Sequence, residues 1–363
     1  MRVGRLRGMQ GRPMIWAAVS LIFFGLVLLH FEGEISRLDA ENVKLAQTLA
    51  RLEIDNIQHR RIRGVPAEYL QDSPIAATEV DDLIVIYNRV PKTGSTSFAG
   101  IAYDLCMRNK FNVLHINVTK NNHVLSVSDQ MRFVNNITNW HGKKPALYHG
   151  HLAYLEFSRF GVLQKPVYIN IVRDPLDRLI SYYYFLRHGD DFRPHLKRRR
   201  SGNKETFDEC VAKDGADCDA ENLWMQIPFF CGHAAECWIP GNKWALDMAK
   251  HNLVSNYLVV GVTEELGDFV AVLEAALPRF FNGATELYNS GLKSHLRKTF
   301  NKVSPSQDAL AKIQESEIWK MEHDFYQFAK EQFHIVKKRT FEYRSGYMIE
   351  RKQQFGYEKI RPR

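Results

Sequence analysis

An α/β fold with a mainly parallel central sheet is the architecture this chain predicts, and three observations predict it. Short β-branched or apolar runs alternate with stretches of helical spacing from residue 83 to residue 277. The first run leads into Pro91-Lys-Thr-Gly-Ser-Thr-Ser97 and then a helix, which is the order strand, anion loop, helix. Another, Ile169-Asn-Ile-Val-Arg173-Asp-Pro175, delivers an arginine at the end of its strand, with Ser181 two helical turns later. Ligands of open α/β sheets sit at the C-terminal strand ends, so both loops face one ligand with more than one phosphate.

The elements follow in order. Arg2, Arg5, Arg7 and Arg12 precede an apolar run from Met14 to Phe31, and Glu32 and Glu34 follow it. At ~1.5 Å per residue the run reaches roughly 27 Å, enough to cross a thin bilayer as a signal anchor. The basic flank keeps residues 1–13 cytosolic and sends the rest of the chain to the lumen. A cleaved signal peptide is the rival, but the exit lacks a small-x-small cleavage site. Ile35, Leu38, Leu45, Leu49 and Leu52 then keep a heptad frame with Asn42 and Asn56, so residues 32–81 read as a coiled-coil stalk and a linker. The main domain spans residues 82–363, long enough at 45% hydrophobic content to bury a large core.

Within it the pattern predicts strands at Leu83–Asn88, Val113–Asn117, Ala146–Leu152, Val167–Val172 and Tyr257–Val262. Helices are expected at Ser95–Met107, Ser126–Asn136, Pro175–Arg187, Lys243–His251 and Glu264–Leu277, with one or two more between Gln307 and Val336. The alternating tail Phe355–Ile360 suits a sheet edge. Asn117-Val-Thr and Asn136-Ile-Thr are glycosylation acceptors. Cys210 with Cys218 and Cys231 with Cys237 make two local disulfides in an oxidising lumen, since neither spacing fits zinc or redox motifs. Cys106 is left as a buried thiol on a helix face.

Lys92, Thr93, Gly94, Ser95, Thr96 and Ser97 are the first anion loop, where a lysine and hydroxyls join the positive end of a helix dipole. Lys92 precedes Gly94 and no earlier glycine is in place, so the loop is not a Walker loop and a kinase or NTPase is disfavoured. Tyr148-His149-Gly-His151 puts two imidazoles on one face of a strand. By themselves such histidines are more often structural, and a metal pair lacks a third ligand. The formal charge of +8, from 49 Lys and Arg against 41 Asp and Glu, favours an acidic partner. Its densest run, His195-Leu-Lys-Arg198-Arg-Arg200, is joined by Arg187, Lys293, His295, Arg297 and Lys298.

The two anion loops resemble the 5′-phosphosulfate and 3′-phosphate loops of sulfotransferases that use 3′-phosphoadenosine 5′-phosphosulfate (PAPS). Further segments look like the heparan sulfate 2-O-sulfotransferase family: Tyr87-Asn-Arg-Val-Pro-Lys92, Tyr103-Asp-Leu-Cys106, Leu114-His-Ile-Asn-Val-Thr-Lys-Asn-Asn122, Tyr148-His-Gly-His151, Ser181-Tyr-Tyr-Tyr-Phe-Leu-Arg187 and Ile227-Pro-Phe-Phe-Cys-Gly-His233. Ala99-Gly100 departs from the family, which carries an Asn near that glycine. The resemblance implies a P-loop-like sulfotransferase fold, a Golgi membrane enzyme of type II, PAPS as donor without a metal, and heparan sulfate rather than nucleic acid as partner. It implies His151 as base with His149 beside it, Glu156 being the runner-up, and Lys92 at the leaving phosphate. Arg173, Ser181, Tyr288, Ser294 and Thr299 are then donor contacts, with the Tyr288–Lys302 segment closing over the nucleotide. Arg89, Tyr103, His115, Lys120, Tyr182, Arg198 and Arg297 are sugar contacts, and a homotrimer carries the C-terminal tail on a neighbour. A chondroitin or dermatan uronyl 2-O-sulfotransferase is the nearest alternative, and a non-catalytic glycan-binding protein a more distant one. A histidine of ordinary pKa near ~6.5 suits proton acceptance in a mildly acidic lumen.

Overall fold

The computed structural model describes residues 82–118, 122–191, 193–291, 299–344 and 347–351. The anchor, the stalk, Lys120, Ser294, Arg297 and the tail after residue 351 lie outside the described residues, as do Lys293, His295 and Lys298.

Five parallel strands form the sheet: β1 (Ile84–Asn88), β2 (Asn112–Ile116), β3 (Ala146–Gly150), β4 (Val167–Val172) and β5 (Tyr257–Val262). Their spatial order is β2-β3-β1-β4-β5. All five residues of β1 are buried, as a strand covered on both faces requires. The chain moves to one side of β1 for β2 and β3 and to the other for β4 and β5. The order therefore reverses at the C-terminal end of β1, where parallel sheets open a ligand crevice.

Helices α1 (Ser95–Arg108), α2 (Val127–Asn139), α3 (Pro175–His188), α4 (Phe207–Ala212), α5 (Gln226–Cys231), α6 (Lys243–Asn256) and α7 (Leu266–Ala276) cover the sheet with the short α8 (Pro278–Phe281) and α9 (Ala284–Asn289). The region expected to hold one or two helices holds two, α10 (Gln307–Gln314) and α11 (Glu317–Thr340). Phe98 of α1 meets Tyr87, Phe269 and Phe281 at ring distances of 5.0, 5.4 and 5.6 Å, which locks α1 against β1, α7 and α8.

Three differences from the sequence reading bear on the site or the topology. β3 stops at Gly150, where an added Cβ would lie 2.5 Å from the Ile116 carbonyl oxygen; His151 is beyond the strand, so strand alternation does not carry both histidines. A single turn, Thr263–Glu265, precedes α7. An antiparallel hairpin, β6 (Phe341–Arg344) with β7 (Tyr347–Glu350), follows α11 where no strands were expected.

Both local disulfides form: Cys210–Cys218 and Cys231–Cys237. Cys106 is half-buried rather than buried, its thiol donating to the Tyr103 carbonyl at 3.0 Å. Asn117 and Asn136 are both exposed. A second apolar cluster joins one face of α3, through Leu176, Leu179, Ile180, Tyr183 and Tyr184, to the region of the first disulfide.

Candidate active site

The end of β1 is fastened by buried polar groups. Asn170 Nδ2 donates to the Asn88 carbonyl at 2.8 Å, and the Tyr257 hydroxyl donates to Asn88 Oδ1 at 3.0 Å. The chain then turns twice through left-handed backbone, at Lys92 (φ 70°) and Gly94 (φ 76°). Such a conformation costs a non-glycine residue about 1 kcal/mol or more, so Lys92 is held there by its surroundings. Thr93 supplies part of that hold: its hydroxyl donates to the Val90 carbonyl at 3.0 Å, while its own carbonyl lies 3.0 Å from the Thr263 hydroxyl. Gly94 begins α1 with no side-chain cap, so the positive end of the helix faces the loop without a built-in acceptor. Ser95 and Ser97 are buried, and Thr96 is half-buried.

Lys92 Nζ donates to Thr299 Oγ1 at 3.1 Å and sits 4.4 Å above the Phe185 ring. Thr299 reaches it because its backbone bridges Asp190, just past the end of α3. Ser181 lies one helical turn before Phe185, on the face of α3 turned to the loop. Tyr182 is half-buried beside it. The Arg198 guanidinium covers Phe185 at 4.3 Å and lies 3.6 Å from the wholly buried Asp190.

Arg173 extends from β4 toward the same loop. One guanidinium nitrogen is 3.4 Å from the Lys92 carbonyl and another 3.6 Å from Asp177, while Nε is buried without a hydrogen-bond partner. Asp174, not Arg173, caps α3, its side chain accepting from the Asp177 N–H at 3.0 Å. Tyr288 packs over Gly267 at the start of α7.

The histidines form a second group on the β3 side. His151 Nδ1 is 2.9 Å from the Arg89 carbonyl oxygen, and a carbonyl only accepts, so Nδ1 carries the proton and Nε2 keeps a lone pair. His149 Nε2 is 2.9 Å from the Tyr103 hydroxyl, and its ring faces His115 at 5.0 Å. An Arg89 guanidinium nitrogen stands 3.1 Å from His115 Nε2. Burial, then the charge of Arg89, push both His149 and His151 down to about 3, well below the ordinary value expected from the sequence. Both rings are therefore neutral at any cellular pH. Glu156 is exposed and accepts from Ser158 outside this group.

Three arginines of the expected basic groove are instead paired with acids of this chain. Arg187 is buried, 3.1 Å from both Glu205 and Asp217, and its guanidinium stacks 3.5 Å above Tyr183. Arg200 grips Asp217 with two bonds, at 2.9 and 3.1 Å, and Arg199 is 3.7 Å from the same acid. Run density does not separate ligand-facing arginines from those paired with distant acids. Phe185, Thr263 and Asp190 left less trace in the sequence. Of these only Phe185 left a signal, its i+4 spacing from Ser181.

Residues 79–329 match the model of the Sulfotransferase family. This chain belongs to that family. The sulfotransferase is 54% identical to "Heparan sulfate 2-O-sulfotransferase 1" of Homo sapiens over 361 residues, 99% of each chain. It is likewise 54% identical to the Gallus gallus protein of that name over 345 residues, 95% of this chain and 96% of the relative. The Drosophila melanogaster "Heparin sulfate O-sulfotransferase" is 58% identical over 283 residues, 78% of the sulfotransferase and 80% of the relative. The parallel sheet and its flanking helices are those of an α/β sulfotransferase.

Proposed function

We propose that this sulfotransferase transfers a sulfuryl group from PAPS to the 2-O position of a uronic acid, chiefly iduronate, in heparan sulfate. The observation that carries the reading is the 2.9 Å bond from His151 Nδ1 to the carbonyl of Arg89, three residues before Lys92. It builds a proton acceptor and a leaving-group cation off one loop. The names of relatives at 54–58% identity support the substrate.

The residues present fit the donor. A nucleotide with two separate anionic groups needs cations and donors at two points, and the uncapped start of α1 beside Lys92 matches the first. The buried, unpartnered Nε of Arg173 matches the second. When bound, PAPS supplies the sulfuryl group and departs as adenosine 3′,5′-bisphosphate. Lys92 through Ser97 would hold its 5′-phosphosulfate, Lys92 adding charge at the bridging oxygen. Arg173 and Ser181 would hold the 3′-phosphate, with Tyr288, Ser294 and Thr299 around the nucleotide.

His151 Nε2 takes the proton of the sugar hydroxyl as its oxygen attacks. A pKa near 3 makes the free enzyme a weak base there. Burial is the larger cause of that depression and the charge of Arg89 the next; sulfates and carboxylates of the glycan beside Arg89 offset the second of these and so raise the basicity of His151. His149 orients Tyr103. Arg89, Tyr103, His115, Lys120, Tyr182, Arg198 and Arg297 bind the chain, the guanidinium groups pairing with sulfate and carboxylate oxygens. Met14–Phe31 anchors the enzyme in the Golgi membrane as a type II protein, residues 32–81 form the stalk, and a homotrimer assembles through the tail. Glycans attach at Asn117 and Asn136.

Incubating the full-length chain with labelled PAPS and a panel of desulfated glycosaminoglycans tests this. Label on uronate 2-O in glucosamine-containing disaccharides is expected. Label confined to galactosamine-containing ones points to the chondroitin or dermatan alternative, and nucleotide binding without transfer to a glycan-binding protein.

A further inference from the structure

We infer that Gln226 and Glu322 are positioning residues for the donor site, holding the Arg173 backbone where its guanidinium meets the 3′-phosphate. The inference rests on the donor reading above. Where β4 ends at Val172, the next peptide groups are held by side chains instead of a neighbouring strand. The Arg173 N–H donates to Gln226 Oε1 at 2.9 Å, and Gln226 Nε2 donates back to the Arg173 carbonyl at 2.9 Å. One carboxamide thus brackets the residue on both sides, as a strand neighbour would.

The orientation of that carboxamide is imposed by α11. Gln226 Nε2 also donates to Glu322 Oε2 at 3.3 Å. Glu322 Oε1 in turn accepts from the Met225 and Ile227 N–H groups, at 2.9 and 3.1 Å. Both side chains are 0% exposed, so water does not substitute for a lost partner. A carboxylate only accepts, and it therefore selects the rotamer with the amino group toward itself. The flipped amide would set donor against donor at the Arg173 N–H and acceptor against acceptor at its carbonyl. Burial pushes the Glu322 carboxyl up, and the charge of the buried Arg178, with the Met225 and Ile227 N–H groups, works against that shift in favour of the ionised form.

A parallel tie fixes the next residue. The Asp174 N–H donates to Glu264 Oε1 at 3.2 Å, and Glu264 Oε2 accepts from the Tyr326 hydroxyl at 3.1 Å. Tyr326 lies one turn after Glu322 on α11. Two successive peptide groups beyond the sheet are thus held from one helix. Neither Gln226 nor Glu322 touches the anion loop; their action on the nucleotide passes through Arg173.

Calorimetric titration of the full-length chain with adenosine 3′,5′-bisphosphate and with adenosine 5′-monophosphate tests the assignment, because only the first carries the 3′-phosphate. The wild type should prefer the bisphosphate. Gln226→Met keeps the length without the polar atoms; it should weaken bisphosphate binding by about tenfold and monophosphate binding by less than about twofold. In an Arg173→Met background the same change should add nothing to the discrimination. If Gln226→Met does not fold by circular dichroism, Glu322→Gln carries the same comparison, with a several-fold narrowing of preference expected. Equal weakening of both nucleotides, or an unchanged preference, overturns the inference and leaves a purely structural role. A wild type that does not distinguish the nucleotides overturns the donor reading itself.

Discussion

Arginines serve two regions of this molecule on either side of α3, and their surroundings separate them. Behind the helix, Arg187 and Arg200 meet Glu205 and Asp217 at 2.9–3.1 Å, and the group sits beside the Cys210–Cys218 disulfide. Burial works against the charge of Asp217, but hydrogen bonds from Arg200 outweigh it and keep the acid below the usual range. At the C-terminal edge of the sheet, Arg173 has its nearest carboxylate only at 3.6 Å, and its other guanidinium contact is the Lys92 carbonyl at 3.4 Å. Charge neutralised at close range fastens a fold; charge held in place by backbone and carbonyl contacts stays available to an incoming anion. Distance from the strand ends, rather than density of basic residues, therefore marks the ligand side.

The contrast is sharpened first by substitutions at the strand-end site. His151→Ala should lower sulfuryl transfer by about 10²–10⁴-fold while nucleotide affinity, read by calorimetry, stays within about twofold. Near-normal turnover would remove His151 as base. Lys92→Ala should reduce kcat by about 10²–10³-fold, the scale of one lost transition-state cation, with a smaller rise in nucleotide KM. Behind α3 the effect should move from rate to stability. Arg187→Met leaves two acids short of a counter-ion and should cost about 3 kcal/mol in denaturant unfolding, with the KM values of the folded fraction unchanged. A variant with normal stability and a weakened glycan KM would erase the distinction between the two regions. Arg198 bridges them, touching both Phe185 and Asp190. Arg198→Glu should raise KM for N-sulfated polymer about tenfold and for nucleotide less, as steady-state kinetics on both substrates would read.

The last prediction concerns pH. His149 and His151 have folded pKa values of about 3, below the unfolded value near ~6.5. Between those limits the unfolded chain binds more protons, so stability is complete above about pH 6.5 and falls as pH drops toward 3. Tm measured from pH 7 to 4 should decline, and the decline should be shallower in His149→Asn. Equal slopes in the two proteins would mean that His149 is not held neutral by the fold.

The strand order could not be read from spacing, but the parallel sheet itself could. β-branched runs alternating with amphipathic helices leave few other arrangements, and the starts of α1 and α3 were marked by Gly94 and by Asp174 with Pro175. The Cys210–Cys218 and Cys231–Cys237 bridges were legible because short spacing limits the partners. The acidic partners of Arg187 were not, since Asp217 lies 30 residues away along the chain. For the same reason neither Gln226 nor Glu322 drew attention. Each is an ordinary polar residue locally, and the hydrogen bond joining them crosses 96 positions.

By itself the sequence determined the five strands of the sheet and the longer helices between them, the anion loop from Lys92 to Ser97 and the motifs shared with sulfotransferases. These depend on contacts a few residues apart and on backbone preferences of single residues. Tertiary structure decided which arginines are buried against acids, that His151 stands beyond β3 with Nε2 as its lone-pair nitrogen, and that α11 reaches Arg173 through Gln226. Each of those depends on hydrogen bonds and burial between segments distant in the chain, and local pattern carries no information about them.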